Sequence, residues 1–322
     1  METNVYIASR KEPGGICHFS LSDGGALTLR KVYSAACPAY LCAEGHSLYA
    51  LLREPFFMQS GVAQYHINDD GSLSPVGTIT PVHGPIAAHL AVFNGSVYVA
   101  NYLASSVVRL PDKCALYSGC GPITARQECP HPHCVAIAPG GDFLCVADLG
   151  SDCIRIHDME LGSKGRVELP AGCGPRHLAF SHDGKYLYCI TELASTIEVM
   201  QKSKNGFTHI ASYSTLPGHF NGQNAGSAIR LSKDGKFLYA SNRGHDSICV
   251  FAVDSGTGTL TPLASVPCAG CSPRDFVLHN DLLLCGNELS DEVAVFSVAG
   301  DGIPKDIGYR ASVPMPWSIL CL

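Results

Sequence analysis

One motif returns along this chain about every 46 residues, and that period limits the fold more than any other feature of the sequence. A hydrophobic strand runs into a short polar turn, and in all but one copy an alternating strand follows directly. The copies read "VYIASRKEPGGICHF" (5–19), "LYALLREP" (48–55), "VYVANYLASSVVRL" (97–110), "FLCVADLGSDCIRI" (143–156), "YLYCITELASTIEVM" (186–200), "FLYASNRGHDSICVF" (237–251) and "LLLCGNELSDEVAVF" (282–296). Their equivalent turn residues are Arg10, Arg53, Tyr102, Leu149, Glu192, Arg243 and Glu288. Seven such units fill 322 residues, and the period is that of a four-stranded propeller blade.

Upstream of the motif lies another strand and a glycine turn, as in "PHCVAIAPGGDFLCV" (132–146), "PRHLAFSHDGKYLYC" (175–189) and "SAIRLSKDGKFLYA" (227–240). These are hairpin signals. Downstream comes a less regular fourth strand, such as "GFTHIASYSTL" (206–216). No convincing amphipathic helix interrupts the pattern. The expected fold is therefore all-β: a seven-bladed β-propeller of four-stranded antiparallel blades, one domain over residues 1–322. The first unit starts at its second strand. The C-terminal "PMPWSILCL" has the form of "GPRHLAFS", so it is predicted to supply the missing innermost strand and close the ring without an open edge.

Composition removes several function classes. A hydrophobic content of 46% is enough for a large core. The net charge of −6, with no run of Lys or Arg, argues against a nucleic-acid partner. No apolar stretch reaches membrane-spanning length and no signal-peptide pattern opens the chain, which predicts a cytoplasmic protein without a membrane partner. Many of the 16 cysteines lie in strand-like runs, including Cys145, Cys189, Cys249 and Cys285, and are expected to pack as small reduced hydrophobes. "CAGC" (268–271) and "HPH" (131–133) lack the second half of a zinc site, so no metal is predicted.

In an antiparallel blade the start of the first strand and the turn after the second lie at the same end. That places the turn residues on one face, together with the residue after the first-strand proline: His133, Arg176 and Arg274. Ser227 holds this place in the sixth blade, Ile86 and Tyr102 are the third-blade equivalents, and Trp317 and Arg10 those of the first. Blades four to seven are thus expected to gather His133, Arg176, Glu192, Arg243, Arg274 and Glu288 on one arc of the mouth. Arg176 and Glu192 belong to neighbouring strands about 4.8 Å apart, close enough to pair. His177, His182 and His245 read as structural or solvent-facing, and Asp148 and Asp152 as turn-tying side chains.

The stretches "HPHCVAIAPGGDFLCVADLGSD", "GPRHLAFSHDGKYLYCITELAST", "IRLSKDGKFLYASNRGHDSICVF" and "PRDFVLHNDLLLCGNELSDEVAVF" make the chain similar to the seven-bladed propeller lactonases. These include 6-phosphogluconolactonases of the propeller type and carboxy-cis,cis-muconate cyclases. The resemblance implies an active site on this face built from a His, two Arg and a Glu, which fall on His133, Arg176, Glu192 and Arg243. Two positions depart from the family pattern: Asp275, where a histidine is more usual, and Ala228, where an acid often stands.

These residues suit hydrolysis of a sugar lactone, foremost 6-phosphogluconolactone. Glu192 is the expected general base for water, and Arg176 and Arg243 the anion and oxyanion binders. His133 would carry the proton, Arg274 and Glu288 would contact substrate, and no cofactor is called for. The expected partner is a small anion, a phosphosugar lactone or a polycarboxylate. The same site would serve a muconate-type lactonising cyclase. A non-catalytic interaction propeller is the reading from another class, disfavoured by the absence of Trp-Asp repeat dipeptides. A calcium-dependent lactonase fits poorly, because arginines make a bad first shell for a hard cation.

Overall fold

The computed structural model describes residues 2–11, 14–204 and 206–322. Each predicted unit is a four-stranded antiparallel sheet, seven in all. The innermost strands of blades one to seven are Pro316–Cys321, Pro38–Glu44, Ala87–Phe93, Pro132–Ile137, Pro175–Phe180, Ala225–Leu231 and Pro273–His279. Each abuts the next, and the seventh abuts the first, which makes the ring. Blade one is composite: Pro316–Cys321 pairs with Thr3–Ser9, from Val5 opposite Cys321 to Ser9 opposite Pro316. The closing strand lies where the sequence placed it. The longer first turn includes Glu12 and Pro13, which lie outside the described residues.

Blade packing explains the composition of the second strands. Each is covered by a neighbouring blade on both faces, so "YLYCIT" (Tyr186–Thr191) is buried throughout rather than on alternate residues. Between blades four and five the layer includes Cys145, Ile154, Leu187, Cys189 and Met200, with the partly buried Phe143 and Phe180 packed against it. Cys145, Cys189, Cys249 and Cys285 are all buried and free, and none of the 16 cysteines forms a disulfide. A single turn of 3-10 helix, Leu149–Ser151, is the one helical segment among the described residues. No helix there is long and apolar enough to cross a membrane.

Candidate active site

A register shift recurs at the mouth of the ring. The innermost strand of every blade is irregular within its first residues, and the shift falls at Ala39, Ala88, His133, Arg176, Ser227–Ala228, Arg274 and Trp317. In five blades the residue just before the shift is a proline, which has no N–H to give to the ladder. A bulge opposes two residues to one, bends the strand and re-aims the extra side chain. The repeat thus interrupts the ladder at one place in every blade, and blades four, five and seven carry His133, Arg176 and Arg274 there.

The turns after the second strands supply the counter-charges. Glu192 receives Nε of Arg176 at 3.0 Å and Nη2 of Arg243 at 3.0 Å, both on Oε2. Nε2 of His133 stands 4.0 Å from the same oxygen. Gly244 follows Arg243 at φ 117°, and a Cβ there would meet the Gln223 carbonyl oxygen at 2.3 Å. The tight turn that presents Arg243 therefore requires glycine. Arg176 is 2% exposed and also donates to the Ser227 carbonyl at 2.6 Å, which ties blade five to blade six.

A third guanidinium joins the group, and sequence reading missed it. Arg126 donates to Oε1 of Glu192 from the connection 117–131 between blades three and four. Gln127, fully buried, pins that connection: its amide donates to the Leu149 carbonyl at 2.8 Å and to Asp152 at 2.7 Å, and it accepts from Ile123 N–H at 3.1 Å. The available signal was the unusual length of this loop, which ends at the strand carrying His133. Asp152 does tie turns, as expected, accepting also from Gly172 and Gly174 N–H.

The electrostatics follow from burial and pairing. Burial pushes Glu192 up, but Arg243, Arg176, His133 and Arg126 together outweigh it and hold the carboxyl well below the usual range. His133 is driven well below the ordinary imidazole value, by burial first and then by Arg176, so it is neutral. Among the described residues, its buried Nδ1 has no hydrogen-bond partner, and neither has the buried Nε of Arg243. The "HPH" histidines diverge. His131 stacks on Tyr102 at 4.4 Å and its Nδ1 bonds the Tyr102 carbonyl at 3.0 Å, while His133 meets the edge of the same ring.

Arg274 and Glu288 meet each other at 3.3 Å, but around Trp317 rather than on Glu192. Here the expectation of a single charged arc needs correction. Arg10 and Arg53 also turn inward, because the flat indole of Trp317 offers their guanidinium groups a face to stack on. The mouth therefore carries two groups, one on blades four to six and one on blades seven, one and two. Six guanidinium groups face two carboxylates. In a protein of net charge −6, that local excess of four positive charges is a feature of this one place.

Residues 4–321 match the family described as "Lactonase, 7-bladed beta-propeller". The chain belongs to that family. A protein of Bacillus subtilis named 6-phosphogluconolactonase is 31% identical over 278 residues, covering 80% of this chain and 79% of its own. A crystal structure of a Lactobacillus plantarum protein superposes with a TM-score of 0.92 at 28% identity and full coverage of both chains. A putative 6-phosphogluconolactonase from Bacteroides uniformis gives 0.93 at 26% identity, covering 100% of this chain and 99% of that one.

Within this lactonase frame, the two departures in the sequence lie one layer below the mouth. Asp275 is buried and accepts from Arg230 at 2.7 Å and from Ile319 N–H at 3.1 Å. Ala228, on the same strand as Arg230, is fully buried. The rest of the layer holds Tyr40, His89 and His177, with the ring of His177 5.4 Å from those of both His89 and His133. His177 is therefore buried beneath the site, while His182 and His245 bond the Ser232 carbonyl and Ser247 away from it.

Proposed function

We propose that this propeller hydrolyses an anionic sugar lactone, 6-phosphogluconolactone first among candidates, at the group formed by His133, Arg176, Glu192, Arg243 and Arg126. The observation that carries the reading is the excess of unneutralised guanidinium charge converging on the mouth of a lactonase-family ring. Buried charge without a partner is costly, so a site built this way is completed by an anionic ligand.

The geometry changes one role assigned from sequence. Three guanidinium groups make Glu192 a permanently ionised but feeble base. Neutral His133, whose Nε2 lies 4.0 Å from the same carboxylate, is the group assigned to accept a proton from water. In this scheme water oxygen bonds to the lactone carbonyl carbon as its proton passes to His133. Arg176 and Arg243 stabilise the oxyanion, and the ring C–O bond breaks on collapse. The leaving alkoxide takes the proton back from His133, so lactone and water become the open hydroxy acid. Glu192 fixes the arginines and stabilises the imidazolium. Burial depresses His133 first and Arg176 next, and substrate charge on Arg176 and Arg243 offsets the arginine share.

The test is hydrolysis of freshly generated 6-phosphogluconolactone, corrected for spontaneous opening. Wild type is expected to exceed the background clearly and His133→Ala to fall by about 10²–10⁴-fold. Equal rates in the two proteins would end the role of His133. Gln127→Ala provides an independent check on Arg126. Freeing the connection 117–131 is expected to lower kcat/KM by up to about a hundredfold, since small misplacements of a positioning group suffice for that. Steady-state kinetics showing no change would remove Arg126 from the site.

A further inference from the structure

Trp317 is faced by three guanidinium groups. Arg274 lies 3.7 Å from the ring centroid, Arg10 4.3 Å and Arg53 4.5 Å. They come from three consecutive blades, seven, one and two. The single carboxylate among them, Glu288, is already engaged: it accepts the indole N–H at 2.8 Å and Arg274 at 3.3 Å. Arg10 and Arg53 use only their Nε–H groups on protein, toward the Cys37 sulfur at 3.4 Å and the Ala87 carbonyl at 3.3 Å. Among the described residues, the terminal amino groups of both have no protein partner.

A structural brace would not be built in this way. One arginine stacked on the indole and paired with Glu288 would fill the space. Two further like charges oppose the assembly, and the strain registers on Arg53, which is pushed down to about 10 by burial and then by Arg274 and Arg10. Arg10 and Cys37 also border a cleft of about 780 Å³, whose wall includes Glu54. Of the three arginines, only Arg10 lines that cleft. On its other side, the charge of Arg274 acts on Arg243 and Glu192, so the two halves of the mouth face one electrostatic space.

We propose that Arg10, Arg53 and Arg274, backed by Trp317, form a subsite for a phosphate monoester, the end of the substrate remote from the lactone carbonyl. Three guanidinium groups gathered on one indole, two of them with unused terminal amino groups, suit the dianion of a phosphate monoester better than the single charge of a carboxylate. The proposal rests on the lactonase reading above for the position of the reacting end. It makes a phosphorylated lactone, rather than a plain one, the preferred substrate.

The experiment compares 6-phosphogluconolactone with glucono-δ-lactone, which has the same ring without the phosphate, in wild type, Arg53→Met, Arg10→Met and Arg53→Lys. Inorganic phosphate, 6-phosphogluconate and gluconate are titrated calorimetrically into the same proteins. In each Met variant the ratio of kcat/KM for the phosphorylated over the plain lactone is expected to drop by about ten- to a hundredfold, through KM, with phosphate affinity falling in parallel. Arg53→Lys, which keeps the charge and loses the fork, is expected to lie between. An unmoved ratio, or an equal loss on both lactones, would overturn the subsite. Should wild type hydrolyse neither lactone, the catalytic reading fails, and phosphate binding lost in Arg53→Met would still support the subsite. Absence of any phosphate or 6-phosphogluconate binding to wild type would overturn it.

Discussion

Glu192→Gln is expected to lose at least about a hundredfold in turnover, comparable to removing an oxyanion donor, and to unfold at a distinctly lower temperature. The two losses share one cause. Glutamine keeps the shape of the side chain but removes the only negative charge among Arg126, Arg176 and Arg243. Arg176 is 2% exposed, so without substrate water screens little of its charge, which is left uncompensated. Breaking a buried pair in this way typically costs about 3–5 kcal/mol. Mutual repulsion then spreads the guanidinium groups and moves the oxyanion binders off their target.

Scanning calorimetry and steady-state kinetics on the same preparation measure both effects. Added phosphate or citrate should raise the variant's unfolding temperature more than that of wild type, because the anion replaces the missing charge. Full activity in Glu192→Gln would show that the arginines do not need this carboxylate, and the proposed site would have to be abandoned. Turnover lost with stability intact would instead return to Glu192 the base role read from sequence.

The fold was legible because each blade repeats one local pattern. A strand, a polar turn and a second strand recur at one period, and ring closure follows from the single unit that lacks its first strand. The face of the site was legible for the same reason: "GPRHLAF" and "HPHCVAI" mark equivalent places in their blades. Interactions that break the period were not readable. Arg126 comes from a connection with no counterpart in the other blades. Arg10 and Arg53 occupy turn positions equivalent to Glu192, but what they face depends on Trp317, and an indole at the end of the chain gives no hint that it will sit between blades seven and two. The bulges were hidden too, since a proline announces an interrupted ladder without saying which way the next side chain will turn.

Acid should destabilise this protein well before its carboxylates titrate. His89, His133 and His177 are all buried and neutral: burial and Arg230 and Arg176 push His89 down to about 3, and burial with Arg176 drives the other two well below their ordinary value. The groups around them include Tyr40, Tyr102, Arg176, Arg230, Arg243, Arg274 and Glu192, and of the charged ones only Glu192 favours protonation, at His133. In the unfolded chain each histidine takes up a proton near pH 6.5. Below that pH the unfolded state therefore binds more protons than the folded one, and stability falls as pH falls. Three protons correspond to a slope of about 4 kcal/mol per pH unit, and His18 and His157, also lowered by burial, add to it. The depressed Glu192 adds to the loss only below its own unfolded value of about 4.3, while Asp275, raised by burial, opposes it toward the acid end. Urea unfolding at pH 7, 6 and 5 reads the slope directly. His177→Asn, which removes one of these protons, should reduce it by at most about a third. A stability that stays flat between pH 7 and 5 would mean that these imidazoles reach solvent in the folded ring, and the buried layer beneath His133 would not exist as described.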